Sequence, residues 1–199
     1  MGFLRAVWFG LFFICLIFLF WGFWPIPSQN QRIEFKQGEL SALVQGLSAS
    51  KLDLFWPELM RTGDEAIIEV YFSPVDLKNT VQSEAVSPSF RAVARLEMSG
   101  VELLAPPELQ QSFHAGESIA FRWRVRSSGA GLVKGWVWFG IQVVSAEKTT
   151  VVEEMLAAPV ITIRQVGLLS LDGTTVRWVG IIGLTGLAGI AGYASLKSR

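Results

Sequence analysis

Three arginines alternate along one short segment, Arg122, Arg124 and Arg126, with Phe121, Trp123 and Val125 between and before them. At a spacing of two, like charges share one face of a β-strand and repel each other unless acidic neighbours answer them. Glu65, Glu69 and Glu97 are the candidates to do so across strands. The spacing predicts first a salt-bridged solvent face, and second a docking face for an acidic partner or anionic headgroups. Arg91 and Arg95 share a face on another segment. A second pattern is aromatic. Trp136 and Trp138 alternate with Val137, Phe139 and Ile141, so both faces of that segment are apolar. Such a strand is either covered by a loop, the favoured reading, or presents its tryptophans to a partner. Phe55 and Trp56, before Pro57, repeat the feature on a smaller scale.

Residues of the usual catalytic types are sparse. His114 is the single histidine and Cys15 the single cysteine, and Cys15 lies in an apolar run. A zinc site needs more nitrogen and sulfur ligands than this. A serine triad would have to use His114, and there is no G-x-S-x-G elbow, phosphate loop or dinucleotide fingerprint. Two carboxylates can suffice for glycoside hydrolysis. The adjacent pair Glu153-Glu154, however, reads as a solvated pair on a turn. No catalytic, cofactor-binding or metal-ligating residue is assigned.

The elements that position these residues follow from charge. All acidic residues lie between Glu34 and Asp172. Outside that stretch, Ala6 to Trp24 and Trp178 to Leu196 are each 19 residues long and free of charge. As helices they reach roughly 28 Å, about one hydrocarbon core. The first is bulky and aromatic, with Trp21 and Trp24 at a belt position and Pro25 and Pro27 ending it. It lacks a small-residue cleavage site and reads as an uncleaved signal anchor. Cys15 is expected to be a lipid-facing or packing residue within it. The second run is small-featured. Glycine recurs every third residue, at Gly180, Gly183, Gly186, Gly189 and Gly192, and thus wraps around a helix with 3.6 residues per turn. These glycines predict close helix contact, with the aromatic helix or with a partner subunit. Thr174 or Thr175 is expected to cap this helix.

The middle, from Pro27 to Gly173, carries a net charge of −4 and no cysteine. That balance argues against nucleic-acid binding, and the domain has no disulfide of its own. Strands are expected over 32–36, 51–56, 66–72, 90–98, 101–105, 119–126, 133–144 and 160–166, punctuated by glycine and proline turns. Ser127 to Gly131 reads as the turn of a hairpin between the arginine strand and the tryptophan strand. Val75 to Ser89 reads as a long loop. A turn at Ala115-Gly116-Glu117, a strand with a central Trp123, and that hairpin together resemble an immunoglobulin-like domain, without its paired cysteines.

The expected fold is two transmembrane α-helices flanking an all-β, immunoglobulin-like β-sandwich that faces water. The boundaries are 1–26 for the first helix, 31–171 for the sandwich and 174–197 for the second helix. Arg5 before the first apolar run places both termini in the cytoplasm and the sandwich outside. The basic flanks are otherwise nearly balanced. The expected function is that of a non-enzymatic accessory or scaffolding subunit of a membrane assembly. Its partners are the lipid bilayer and other membrane subunits or copies of itself. A ligand- or polymer-binding module using Arg122, Arg124 and Arg126 is the alternative, and a carboxylate hydrolase comes last.

Overall fold

Alternation in the sequence becomes alternation of burial in space. In the strand Ile119–Ser127, the residues Ile119, Phe121, Trp123 and Val125 are buried, while Arg122 and Arg124 are exposed. This is the pattern of a strand with one face on a core and one in water. The computed structural model describes residues 2–35, 50–74, 89–114, 116–144, 151–169 and 171–197. In chain order it contains α1 (Gly2–Phe23), β1 (Ser28–Glu34), β2 (Ser50–Pro57), β3 (Leu59–Arg61), β4 (Glu65–Pro74), β5 (Ser89–Met98), β6 (Val101–Leu103), β7 (Glu108–Phe113), β8 (Ile119–Ser127), β9 (Gly131–Val144), β10 (Val151–Ala157), β11 (Val160–Val166) and α2 (Gly173–Lys197).

The strands form two sheets. One runs β1-β2-β4-β8-β6, the other β3-β11-β9-β5-β7, with β10 also paired to β9. Their inner faces share one core that includes Leu52, Leu54, Ile68 and Phe72 from the first sheet and Leu96, Val137, Phe139 and Ile161 from the second. Trp123 is fully buried there, and its indole nitrogen donates to the Pro107 carbonyl at 3.1 Å. Trp56 is also buried and donates to the Thr162 carbonyl at 3.2 Å, whereas its neighbour Phe55 is exposed.

Several sequence expectations need correction. The segment Ser127–Gly131 does not close a hairpin. β8 is flanked by β4 and β6, and β9 by β5 and β11, so the chain crosses from one sheet to the other at this point. Both edges of β8 are already occupied, which leaves β9 to pair elsewhere. The Thr62 hydroxyl donates to the Gly129 carbonyl at 2.8 Å and steadies the crossing. Glu153 and Glu154 do not sit on a turn. They lie in β10, opposite Gln142 and Ile141 of β9. Two adjacent glutamates hide the alternation of this strand, which is held by pairing with one half of the long β9. β11 pairs with the other half, and Ala158-Pro159 breaks the two apart. β3 and β7 lie outside the expected strands. The expected loop from Val75 lies outside the described residues up to Ser89, which opens β5. Lys36, the expected end of the first strand, also lies outside them.

The two apolar helices are long and apolar enough to cross a membrane by length and composition. They pack antiparallel. Positions 22, 19 and 15 of α1 meet positions 177, 180 and 183 of α2 in turn. Both helices therefore leave the same end of the sandwich. The α2 cap is Asp172 rather than Thr174 or Thr175. Its carboxylate accepts from the Thr175 backbone N–H, and its carbonyl accepts from Val176 N–H at 3.0 Å. An aspartate preceding the first turn is a better acceptor for these orphan donors than a threonine already inside the helix. That hydrogen bond holds the Asp172 carboxyl below its ordinary range.

Candidate functional site

Where the helices meet the sandwich, charged residues gather out of water. β3 ends in Arg61, and Thr62-Gly63-Asp64 turns the chain into β4. Gly63 has φ +80°, a left-handed conformation, and a Cβ there would lie 2.9 Å from Cβ of Asp172. Glycine is required twice over, by backbone and by space. The turn is tied to its neighbours: Gly63 N–H donates to the Ser127 carbonyl at 3.0 Å, and Gly173 N–H donates to the Thr62 carbonyl at 2.8 Å. This fixes Asp64 against the start of α2.

Asp64 then joins two guanidinium groups. Arg61 lies 3.7 Å away, and Arg177, from the first turns of α2, bonds the same carboxylate oxygen. Both arginines also reach the C-terminal end of α1. Arg61 Nε donates to the Trp21 carbonyl at 2.9 Å and its Nη2 to the Trp24 carbonyl. Arg177 Nε donates to the Gly22 carbonyl at 2.9 Å. The last carbonyls of a helix lack intrahelical partners and carry the negative end of its dipole, so cations belong there. Aromatic rings complete the contact, with Arg61 5.2 Å from the Trp21 ring centroid and Arg177 6.0 Å from that of Phe23. Arg61 is only 5% exposed. Burial pushes its pKa below the ordinary guanidinium value, Asp64 pulls it back up, and Arg177 adds to the lowering. Arginine remains charged under such opposing influences. Among the described residues, no buried side-chain nitrogen or oxygen lacks a partner.

The collar of Arg61, Asp64 and Arg177 escapes sequence reading, because Arg177 and the α1 carbonyls lie far along the chain from the neighbouring Arg61 and Asp64. The one available signal is the placement of Arg177 at the head of an apolar helix, where an unpaired charge is expensive.

The glycines divide into two groups. A Cβ on Gly180 would lie 2.8 Å from Leu19, and one on Gly183 would collide with the Cys15 sulfur. Cys15 is buried in that contact. A Cβ on Gly186, Gly189 or Gly192 would meet nothing within 4 Å. Beyond Gly183 a cleft of about 350 Å³ opens between Trp8, Phe9 and Phe12 of α1 and Leu184, Leu187, Ala188 and Ala191 of α2.

The arginines of β8 face solvent and are answered from β4 and β6. Arg122 pairs with Glu69 at 2.7 Å, Arg126 with Glu65 at 2.6 Å and with Glu102 at 3.2 Å, and Arg124 reaches Glu65 at 3.9 Å. The hydrogen bond to Glu65 is the main cause of a raised Arg126 pKa. Glu97 belongs to the other sheet and pairs with Arg95 at 2.5 Å. Trp136 and Trp138 stand on the outer face of that second sheet. Trp136 is 45% exposed, and Trp138 is half-buried with its indole N–H donated to Glu97 at 3.1 Å. Among the described residues, strand β10 lies beside the tryptophan strand and no loop covers Trp136. No cluster of three or more metal-ligating side chains occurs among the described residues.

No family profile and no curated protein matches the chain. Solved structures give distant likenesses. A fragment of Escherichia coli alpha-2-macroglobulin, from domain MG7 to the C-terminus, has a TM-score of 0.38 and 14% identity, covering 70% of this chain and 17% of that one. The chain thus spans about a sixth of that fragment. A complex of zinc 2-glycoprotein and prolactin inducible protein from human seminal plasma has a TM-score of 0.38 and 8% identity, covering 69% of this chain and 93% of that one. AggA, the major subunit of an E. coli aggregative adherence fimbria, has a TM-score of 0.30 and 6% identity, with coverage of 71% and 96%. Likenesses this distant carry no argument about role, and the architecture rests on the strand registers above.

Proposed function

We propose that the chain is a two-pass membrane protein with both termini cytoplasmic and the sandwich extracytoplasmic, acting as a non-enzymatic accessory or scaffolding subunit of a larger membrane assembly. The observation that carries this reading is the collar. Arg61, Asp64 and Arg177 join the base of the sandwich, the end of α1 and the start of α2 in one largely buried network. A mere tether has no use for such a junction. A subunit that must present a face at fixed height and angle does. In a bilayer, the free carbonyls at the end of α1 would be costly near the hydrocarbon, and the two arginines satisfy them. Trp21 and Trp24 stand at the same level, as interfacial residues do. The membrane and other subunits, or second copies of the chain, are the partners of this reading. The surface around Gly186, Gly189 and Gly192 supports it by offering close approach to another helix. The immunoglobulin-like character of the sandwich belongs to the same proposal and is supported by the buried Trp123 on β8.

The ligand-binding alternative placed on Arg122, Arg124 and Arg126 loses support from the pairing of those arginines with Glu65, Glu69 and Glu102.

Purification in mild detergent tests the subunit reading. Co-elution with partners or as an oligomer is expected, lost on Gly186→Leu with Gly189→Leu. Elution alone as a monomer rejects it. Topology is tested by cysteines at Ser83 and Ser198 in a Cys15→Ser background. They should label from opposite sides of the membrane; equal labelling from outside rejects the two-pass arrangement.

A further inference from the structure

The outer face of the second sheet holds a trough of about 310 Å³ across β7, β5, β9 and β10. Its cause is visible in the sequence. Outward positions on β9 run Trp136, Trp138, Gly140 and Gln142, so a residue without a side chain follows the second indole. Gly140 pairs with Val93 on one side and Met155 on the other. These two apolar residues and Gly140 make the floor, and Trp138 makes one wall. The indole is held in place by its bond to Glu97, which in turn holds Arg95.

Charge selects what fits. Among the described residues, the lining carries Glu97, Glu108 and Glu153 against the one guanidinium of Arg95. Arg95 faces Glu108 across the β5–β7 register yet pairs with Glu97. Glu108 accepts a hydrogen bond from Gln110 at 2.9 Å, and Glu153 accepts one from Gln142 at 3.3 Å. Among the described residues, neither carboxylate has an ion-pair partner. Arg91, opposite Gln142, lies off the trough. On the first sheet, by contrast, every arginine of β8 meets a carboxylate within 4 Å.

We propose that this trough receives a basic side chain, arginine or lysine, presented by a partner polypeptide. The apolar floor takes the methylene stem, the Trp138 π system attracts the cation, and Glu108 and Glu153 supply the complementary charge. Tryptophan is enriched among the anchors of protein interfaces, and Trp138 stands half-buried at this position. The partner as the source of the cation rests on the subunit reading above; the preference for a cation rests on the trough alone.

The test uses the full chain in detergent with ¹⁵N-labelled tryptophan indoles, the Trp138 resonance being assigned with Trp138→Phe. N-acetyl-arginine amide and N-acetyl-lysine amide should shift that resonance saturably, and added salt should weaken the effect. Glu108→Gln with Glu153→Gln should reduce the apparent affinity about tenfold, ~1.4 kcal/mol. Unchanged resonances of the other tryptophans show that the variant is folded. An equal response to N-acetyl-norleucine amide overturns the proposal in favour of a merely apolar patch. A response to maltose instead points to a sugar site, and a response to choline alone points to a headgroup or free cation; each overturns it. No shift with either basic amide also overturns it, as does full binding by the double variant. Binding of the basic amides by a chain that elutes alone and monomeric retains the cation site and sinks only the subunit reading.

Discussion

The molecule carries two clusters of arginine and carboxylate with opposite surroundings. At the base of the sandwich, Arg61 and Asp64 are buried, Arg177 is partly buried against them, and the two arginines also serve the carbonyls of a helix end. On β8, Arg122, Arg124 and Arg126 meet Glu65, Glu69 and Glu102 in open water. The contacts are of similar length, yet their energetic weight is not. Exposed pairs are screened and contribute little. A buried pair contributes modestly while intact, but removal of one partner strands the other charge where nothing replaces it. Burial, rather than the number of ion pairs, identifies the cluster that holds the molecule in shape.

That contrast can be broken by mutation. Asp64→Ala should have the largest effect, about 3–5 kcal/mol of destabilisation, read from denaturation in detergent; a midpoint near wild type would show that the collar is not what joins the domains. Gly183→Leu comes next. It overpacks against Cys15 and should cost about 1–3 kcal/mol, while Gly189→Leu should leave the stability of the isolated chain unchanged. Equal effects of the two would remove the distinction between an inner and an outer set of glycines. Asp172→Ala should cost about 1 kcal/mol through loss of the α2 cap. The carboxyl of Asp172 has a folded pKa below its unfolded value. Its stabilisation is therefore complete above the ordinary carboxylate range, near pH ~4, and is lost as pH falls through the folded value. The wild-type curve should drop in that acid window more steeply than that of Asp172→Ala. The smallest effect is expected from Arg122→Ala, whose denaturation midpoint should match wild type at moderate salt. A large shift there would place the exposed ladder on a par with the collar.

Much of the sandwich was legible because its central strands alternate. β4, β5 and β8 could be read from Ile68, Val70 and Phe72, from Phe90 and Leu96, and from Phe121 and Trp123. The salt bridges of Arg122 and Arg126 to Glu69 and Glu65 followed from that same alternation. Strands that owe their form to neighbours were illegible. β3 has three residues and exists by parallel pairing with β11. β7 is polar, with Gln110, Gln111 and Ser112, and takes its shape from β5. β10 was hidden by Glu153-Glu154. Which sheet a strand joins is a matter of which edges are vacant, and no local pattern records that; hence the false hairpin at Ser127–Gly131. For the helices, the glycine spacing announced close approach but could not say which positions approach what. The collar lay beyond reach for the same reason as the sheet order, since Arg177 and the end of α1 reach Arg61 and Asp64 only through the completed fold.

The collar also has a history in time. Arg61 follows the Trp21 carbonyl by 40 residues, whereas Arg177 follows the Gly22 carbonyl by 155. At roughly 5–20 residues per second of synthesis, the second arginine is made about six to twenty-three seconds after the first. Arg61 is placed by β3, which pairs with β11, so its contact is complete only once Val166 has been made; from then until Arg177 follows, the first helix is half served and Asp64 has one guanidinium instead of two. The final helix thus works as a latch, and a ribosome paused before Arg177 would leave a folded sandwich on an open hinge.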